Sequence, residues 1–331
     1  MDSLIHIIIL SFLLMTSFVI IRMHDLLSVV ILMSVYGLLS ASFFILMDAV
    51  DVALTEAAVG IVVSPLLLLA TLAVTGRQEK KSRQQPLVAL VVAVLTGALL
   101  IYGTLEMPPF GTADTPVHQH VAAYYIKESF AETGIPNLVS SVLASYRGYD
   151  TLGELYVIFT AVVGVITLLR LKVKTNNKEQ NLPSLPTSMT RHHILRIVSK
   201  MLIPLILLFG LYIQFHGDFG PGGGFQAGAI FASGMILYAM LFGLQATYRV
   251  ISRAWLEFLA ALGILIYVGT GIVSFIHGEN FLDYSVLANT PVEGQHLGIL
   301  LVELGVGITV ASILLLIFMF FAGHMSKTEE A

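Results

Sequence analysis

The sequence predicts an all-α integral membrane protein of about nine transmembrane helices, its N-terminus outside and its C-terminus cytoplasmic. Three observations carry this. First, the 331 residues are 56% hydrophobic and only 11% charged, against about 25% charge in soluble domains. Second, apolar runs long enough to cross a bilayer recur from one end to the other. Third, the basic residues sort by side once alternate loops are assigned to opposite faces. Arg22, Arg77, Lys80, Lys81, Arg83, Arg170, Lys172, Lys174, Lys178, Arg191, Arg196, Lys200, Arg249, Arg253 and Lys327 fall on one face, and only Lys127 and Arg147 on the other. That is 15 of the 17 in the chain, and the positive-inside rule makes their side cytoplasmic.

Nine segments each suffice to cover roughly 30 Å of hydrocarbon as helix. They lie near 4–21, 26–47, 51–75, 86–104, 151–171, 197–215, 224–246, 254–276 and 295–322. Backbone amides in lipid must bond internally, and runs this long and uniformly apolar are helices rather than barrel strands. The first run lacks a positive leader and reads as a retained helix. The pattern divides into residues 1–76, a three-helix block, and 86–171, two helices around a long external loop (105–150). A cytoplasmic linker (172–191) rich in Lys, Asn, Pro and Ser leads to 192–323, four further helices. The chain has no cysteine, which excludes disulfides, thiolate metal sites and iron–sulfur clusters of its own. No metal or cofactor motif is present.

Acidic residues inside apolar helices are costly and ask for a reason. Glu56 (DVALTEAAVGIVVSP) shares a helical stripe with Ala53, Gly60 and Ser64, so its carboxylate should point into a bundle. Pro65 should free one carbonyl and kink this helix. A proton-relay role competes with a plain helix-end acid, and Asp51 reads as the N-cap. Glu154 follows Thr151 in a capping-box pattern (TLGE), so a cap competes with a pathway role. Glu303 is the deepest and shares a stripe with His296 and Gly307, which would line a polar path inwards from the outer surface; pairing to a neighbouring helix is the structural alternative. Glu257 lies four residues after Arg253 and reads as a simple ion pair.

Between the sixth and seventh helices runs FHGDFGPGGGFQAG. Pro221, Gly222, Gly223 and Gly224 make a turn with unusual backbone freedom. No phosphate-binding spacing follows. His216 and Asp218 read as satisfied turn residues, with cation binding at the loop mouth as the alternative.

Taken together, these passages resemble a known family. DVALTEAAVG looks like the three-helix small subunit of membrane-bound hydrogenases, related to the C-terminal region of the large A-type polypeptide of Mrp antiporters. YRGYDTLGELYVIFTAVVGV looks like the next small subunit of the same modules. HGDFGPGGGFQAG with ELGVGITVAS resembles the B-type polypeptide of Mrp-type Na+/H+ antiporters and its hydrogenase counterpart. The resemblance implies a fused subunit of a module shared by such antiporters and complex I-related redox pumps, located in the cytoplasmic membrane. It implies partners that include long antiporter-like subunits, with Na+ and H+ as the ions. It also places Glu56 and Glu154 at family acids, favouring a pathway role for Glu154. The lysine–glutamate machinery of the long subunits is missing from this sequence, so the chain by itself is not expected to be a complete pump.

Four functions therefore compete. The first is an ion-conducting subunit of such a complex, and the second a purely architectural anchor of it. A stand-alone secondary transporter is disfavoured by the lack of an internal repeat. An intramembrane enzyme is disfavoured by the lack of any HExxH or serine–histidine motif.

Overall fold

The computed structural model describes residues 2–79, 86–109, 111–170 and 193–328. Among them, nine helices are long and apolar enough to cross a membrane. They are called here the first to ninth spans: Asp2–Arg22, Leu26–Leu46, a composite third, Pro86–Thr104, Gly148–Arg170, His193–His216, Gly224–Phe242, Arg253–Ile276 and Pro291–Thr328. The linker expected at 172–191 lies outside the described residues. Two ends of the bundle are distinguished below: the loop end, which carries 105–147, and the basic end opposite.

The third span differs from the expected kinked helix. It runs as α-helix over Val50–Glu56, widens to a π-helix over Ala57–Val63, and returns to α-helix over Ser64–Thr75. Pro65 has no N–H to give and its ring crowds the preceding turn. An i→i+5 pattern just before it relieves that crowding without breaking the helix, and such segments gather at functional sites. The seventh span also stops earlier than its apolar run, at Phe242. Gly243 takes a positive φ of 87° there and starts a separate short helix, Leu244–Val250. Ser252 then caps the eighth span, its Oγ accepting from Trp255 N at 3.3 Å.

The ninth span is the axis. Of its most apolar window 72% is buried, and the third, fifth, seventh and eighth spans pack around it. Two cores stack along it. Towards the loop end, Ile299, Val302, Val306 and Val310 meet Ile135, Leu155, Tyr267 and Tyr284. Towards the basic end, Ile313, Leu316 and Met319 meet Val162, Ile236, Leu244 and Leu256. Lipid tails are as apolar as these side chains, so close packing and hydrogen bonds hold the bundle rather than hydrophobic transfer. Two buried tyrosines supply such bonds: Tyr267 donates to Gly148 O at 2.7 Å and Tyr284 to Ala144 O at 2.9 Å, pinning the start of the fifth span to the eighth and the turn before it to the segment between the eighth and ninth.

Among the described residues, the first span packs chiefly on the second, and the fourth has no extended packing partner. At the basic end a clasp closes the first hairpin. Arg77 Nε and Nη2 donate to the Asp25 carboxylate at 2.7 and 3.0 Å, and Leu26 N donates to Arg77 O at 3.0 Å. The guanidinium, and then the Ser28 hydroxyl, hold the Asp25 carboxyl well below the usual carboxylate range. At the loop end an amphipathic helix, Val121–Thr133, lies against the ninth span, and the hydroxyls of Tyr124 and Tyr146 both donate to Glu132.

Candidate functional site

The loop between the sixth and seventh spans folds back onto the end of the sixth: Gly223 N donates to Ile213 O at 3.1 Å. Gly223 has φ +114°, a conformation that favours glycine, and it is the N-cap of the seventh span. At Gly224 a methyl group would come within 2.9 Å of Gly307 N, so the seventh span crosses the ninth backbone to backbone. That crossing brings the loop against Glu303.

Glu303 is 9% exposed, two turns below His296. Its carboxylate faces Gly223, where a Cβ would sit 3.3 Å from Glu303 Oε1 and 3.6 Å from Gln226 Oε1. Among the described residues it forms no ion pair with a basic side chain. His296 does not reach Glu303, as the shared stripe suggested. It pairs instead with the loop: His296 Nε2 lies 3.0 Å from Asp218 Oδ2, with Asp218 buried and His296 half exposed. His216 is kept apart, its ring stacked on Tyr212 with centroids 4.9 Å apart. The two loop residues read as turn residues or a cation mouth thus have separate partners, and no cluster of three or more metal-binding side chains occurs among the described residues.

The loop is also the meeting point of the chain's parts, through residues that the sequence did not mark. Asn137 Nδ2 lies within donating distance of Gly220 O (2.8 Å), Gly217 O (2.9 Å) and Asp51 Oδ1 (3.2 Å), while Asn137 Oδ1 caps Val139 N at 3.0 Å. Ser140 Oγ donates to Gly217 O at 2.7 Å. Buried Gln226 donates to Thr55 Oγ1 at 2.8 Å, tying the seventh span to the third. Asp51 is thus no N-cap: Ala49 holds that position, and the Asp51 carboxylate serves Asn137. Polar, uncharged residues inside apolar spans, such as Gln226, were the available signal.

Glu56 faces the other side of the third span. Its Oε1 lies near Gly37 of the second span, where a Cβ would meet Gly60 C at 3.0 Å and Glu56 Oε1 at 3.4 Å. The carboxylate opens on a cavity of about 480 Å³ lined by Ser17, Tyr36, Gly60, Ser64 and Leu68, which extends towards the basic end. Glu154 is exposed on the fifth span, one turn beyond Asp150. The capping-box reading fails, because this helix begins at Gly148, three residues before Thr151. Thr151 Oγ1 donates to Leu143 O at 2.8 Å instead. The Arg253–Glu257 pair is present at 2.7 Å.

Fold and site together define a multi-pass membrane subunit whose polar seam is buried where its parts join. Three family models match in succession. Residues 11–77 match the MbhD family of MBH, residues 83–182 its MbhE family, and residues 194–316 the domain related to the MnhB subunit of Na+/H+ antiporters. The chain is 33% identical over 138 residues to the putative antiporter subunit mnhB2 of Staphylococcus aureus (strain Newman), using 40% of this chain and 96% of that protein. It therefore belongs to the family of MnhB-related antiporter subunits. It is also 27% identical to the probable K(+)/H(+) antiporter A/B polypeptide of Rhizobium meliloti (strain 1021), over 94% of this chain and 33% of that one. Among solved structures, the Mrp complex from Dietzia sp. DQ12-45-1b contains a chain of like fold: TM-score 0.76, 24% identity, 95% of this chain and 34% of that one. A chain of the archaeal membrane-bound sulfane sulfur reductase aligns with TM-score 0.50 and 30% identity, over 69% of this chain and 96% of that one. The chain thus spans about a third of the length of the Rhizobium and Dietzia relatives.

Proposed function

We propose that this chain is an ion-conducting membrane subunit of a multi-subunit cation/proton antiporter in the cytoplasmic membrane, exchanging Na+ and H+ with long antiporter-like subunits as partners. The blocks 1–76, 86–171 and 192–323 act as joined small subunits, with the loop end outside and the basic end cytoplasmic. What supports a conducting role is Glu303: a carboxylate buried in the bundle without a basic partner either carries a proton or holds a cation, because the bare charge is too costly there. The two states are the currency of an antiporter.

The other acids fit a route in series. His296 and Asp218 stand at its mouth and Glu303 beyond them. Gln226 and Thr55 cross the seam to the third span, and Glu56 opens on the cavity that leads towards the basic end. Glu154, on the outer face of the fifth span, serves the route only once a partner helix covers it.

The assembled complex in vesicles tests this. Glu303→Gln and Glu56→Gln keep shape and some hydrogen bonding but remove the titrating group. Exchange should fall by about a hundredfold, the low end of what a positioned proton-transfer group contributes, while the complex stays assembled. Glu257→Gln loses an exposed pair of about 0.5 kcal/mol and should transport normally. The architectural reading draws on the Asn137 hydrogen bonds that tie the blocks together. It requires the reverse result, lost assembly with normal specific activity in the complexes that remain.

A further inference from the structure

The sixth and eighth spans have no extended packing between them, and a cleft of about 250 Å³ separates them. Its floor is made of small residues on the seventh and ninth spans, among them Gly228, Ala232 and Ala311. Leucine and phenylalanine side chains form the walls. The polar side chains on it are Ser312 and Gln214. Gln214 is 7% exposed, and its Nε2 has no hydrogen-bond partner. A buried donor left unpaired in a membrane bundle is costly and calls for an acceptor.

Shape and depth say which acceptor. Along the ninth span the cleft runs from Leu304 to Leu315, about 16 Å at 1.5 Å per residue, as a slot much longer than one side chain. A transmembrane helix has its backbone carbonyls bonded internally and so offers the Gln214 amide no main-chain acceptor. Water does not fill it either, since a buried water needs two to four polar partners and apolar cavities stay dry. A single alkyl chain has the right width. Gln214 lies two residues before the loop end of the sixth span, at His216. A 24-residue span is about 36 Å long against about 30 Å of hydrocarbon, so a residue this near its end falls at the level where lipid ester groups begin.

We infer that the cleft holds one acyl chain of a membrane phospholipid from the loop-end leaflet, with its ester carbonyl accepting the Gln214 Nε2–H. The tail gains nothing by leaving the bilayer for an equally apolar groove, so the hydrogen bond and the fit to the small-residue floor hold it in place. The lipid then fills the gap between the sixth and eighth spans against the Gly224–Gly307 crossing that carries Glu303.

The test uses the intact complex, stripped of lipid in detergent and titrated with dioleoyl-phosphatidylethanolamine under native mass spectrometry. The wild-type complex should keep one tightly held phospholipid per copy of this chain. Gln214→Leu should weaken its retention by about fivefold, the effect of one net hydrogen bond, and Ala311→Phe should abolish it by filling the cleft. Should Ala311→Phe prevent assembly, Gln214→Leu decides alone. Unchanged retention in Gln214→Leu overturns the inference. So does recovery of a quinone in place of phospholipid from the stripped complex, or efficient cross-linking of Ala311→Cys to a helix of a neighbouring polypeptide.

Discussion

Replacing Asn137 tests whether the seam is held by one side chain. Its amide faces two loop carbonyls and the Asp51 carboxylate, and its carbonyl caps Val139. Two of these bonds reach the loop, at Gly217 O and Gly220 O, and losing them costs about 1 kcal/mol each, about 2 kcal/mol in all. If those bonds hold the loop closed, Asn137→Leu lowers its opening free energy by that amount. The amides of Phe219 and Gly223, bonded to His216 O and Ile213 O, report the opening by hydrogen exchange. They should exchange about thirtyfold faster, at 1.4 kcal/mol per factor of ten. Asn137→Asp separates the hub from the cap: it keeps an acceptor for Val139 N but loses every donation, and should resemble the leucine variant at Gly223. Exchange within about threefold of wild type in both variants would refute the reasoning and leave the loop to its own backbone turn.

The crossing of the second and third spans gives a contrasting pair. Gly37→Ala presses a methyl onto the backbone of Gly60 at 3.0 Å and should destabilise the protein by about 1–3 kcal/mol in thermal unfolding. Gly60→Ala meets only the movable end of Glu56, so it should leave stability nearly unchanged and depress exchange by displacing the carboxylate. For Glu154→Gln, the exposed position predicts normal stability of the isolated chain with reduced exchange in the complex; full exchange would remove it from the route. On sidedness, Asp114→Cys at the loop end should react with an impermeant thiol reagent added outside intact cells, and Gln245→Cys at the basic end should not. Labelling of the latter would invert the topology.

The spans were legible because the signal is nearly one-dimensional: length, apolarity and loop charge. Gly243 shows where that signal ends, since the seventh run was read on to residue 246, yet a positive φ at Gly243 splits off Leu244–Val250. Thr151 and Glu154 form a capping pattern in the sequence, but a helix that starts at Gly148 puts both inside it. Glu303 stood out as an acid in an apolar run. Its surroundings did not, because Asn137 sits in a short polar segment and its partners lie 80 and more residues away in the chain. No local pattern encodes a contact of that range. His296 was read from its helical stripe, but the partner it takes, Asp218, comes from a loop that the stripe does not reveal.

The widened turns at Ala57–Val63 also set a phase. In an uninterrupted α-helix each residue advances about 100° around the axis, which would leave Ser64 about 80° and Leu68 about 120° away from the direction of Glu56. With more residues per turn through the middle, both come to line the cavity that Glu56 faces. Letting Ala57–Val63 relax to a plain α-helix with every residue kept would lengthen the span only slightly. It would turn Ser64–Thr75 by about 100° about its own axis, carrying the hydroxyl and the leucine off the cavity wall and bringing others onto it. For the lower half of this helix, the winding of seven residues is felt as an angle.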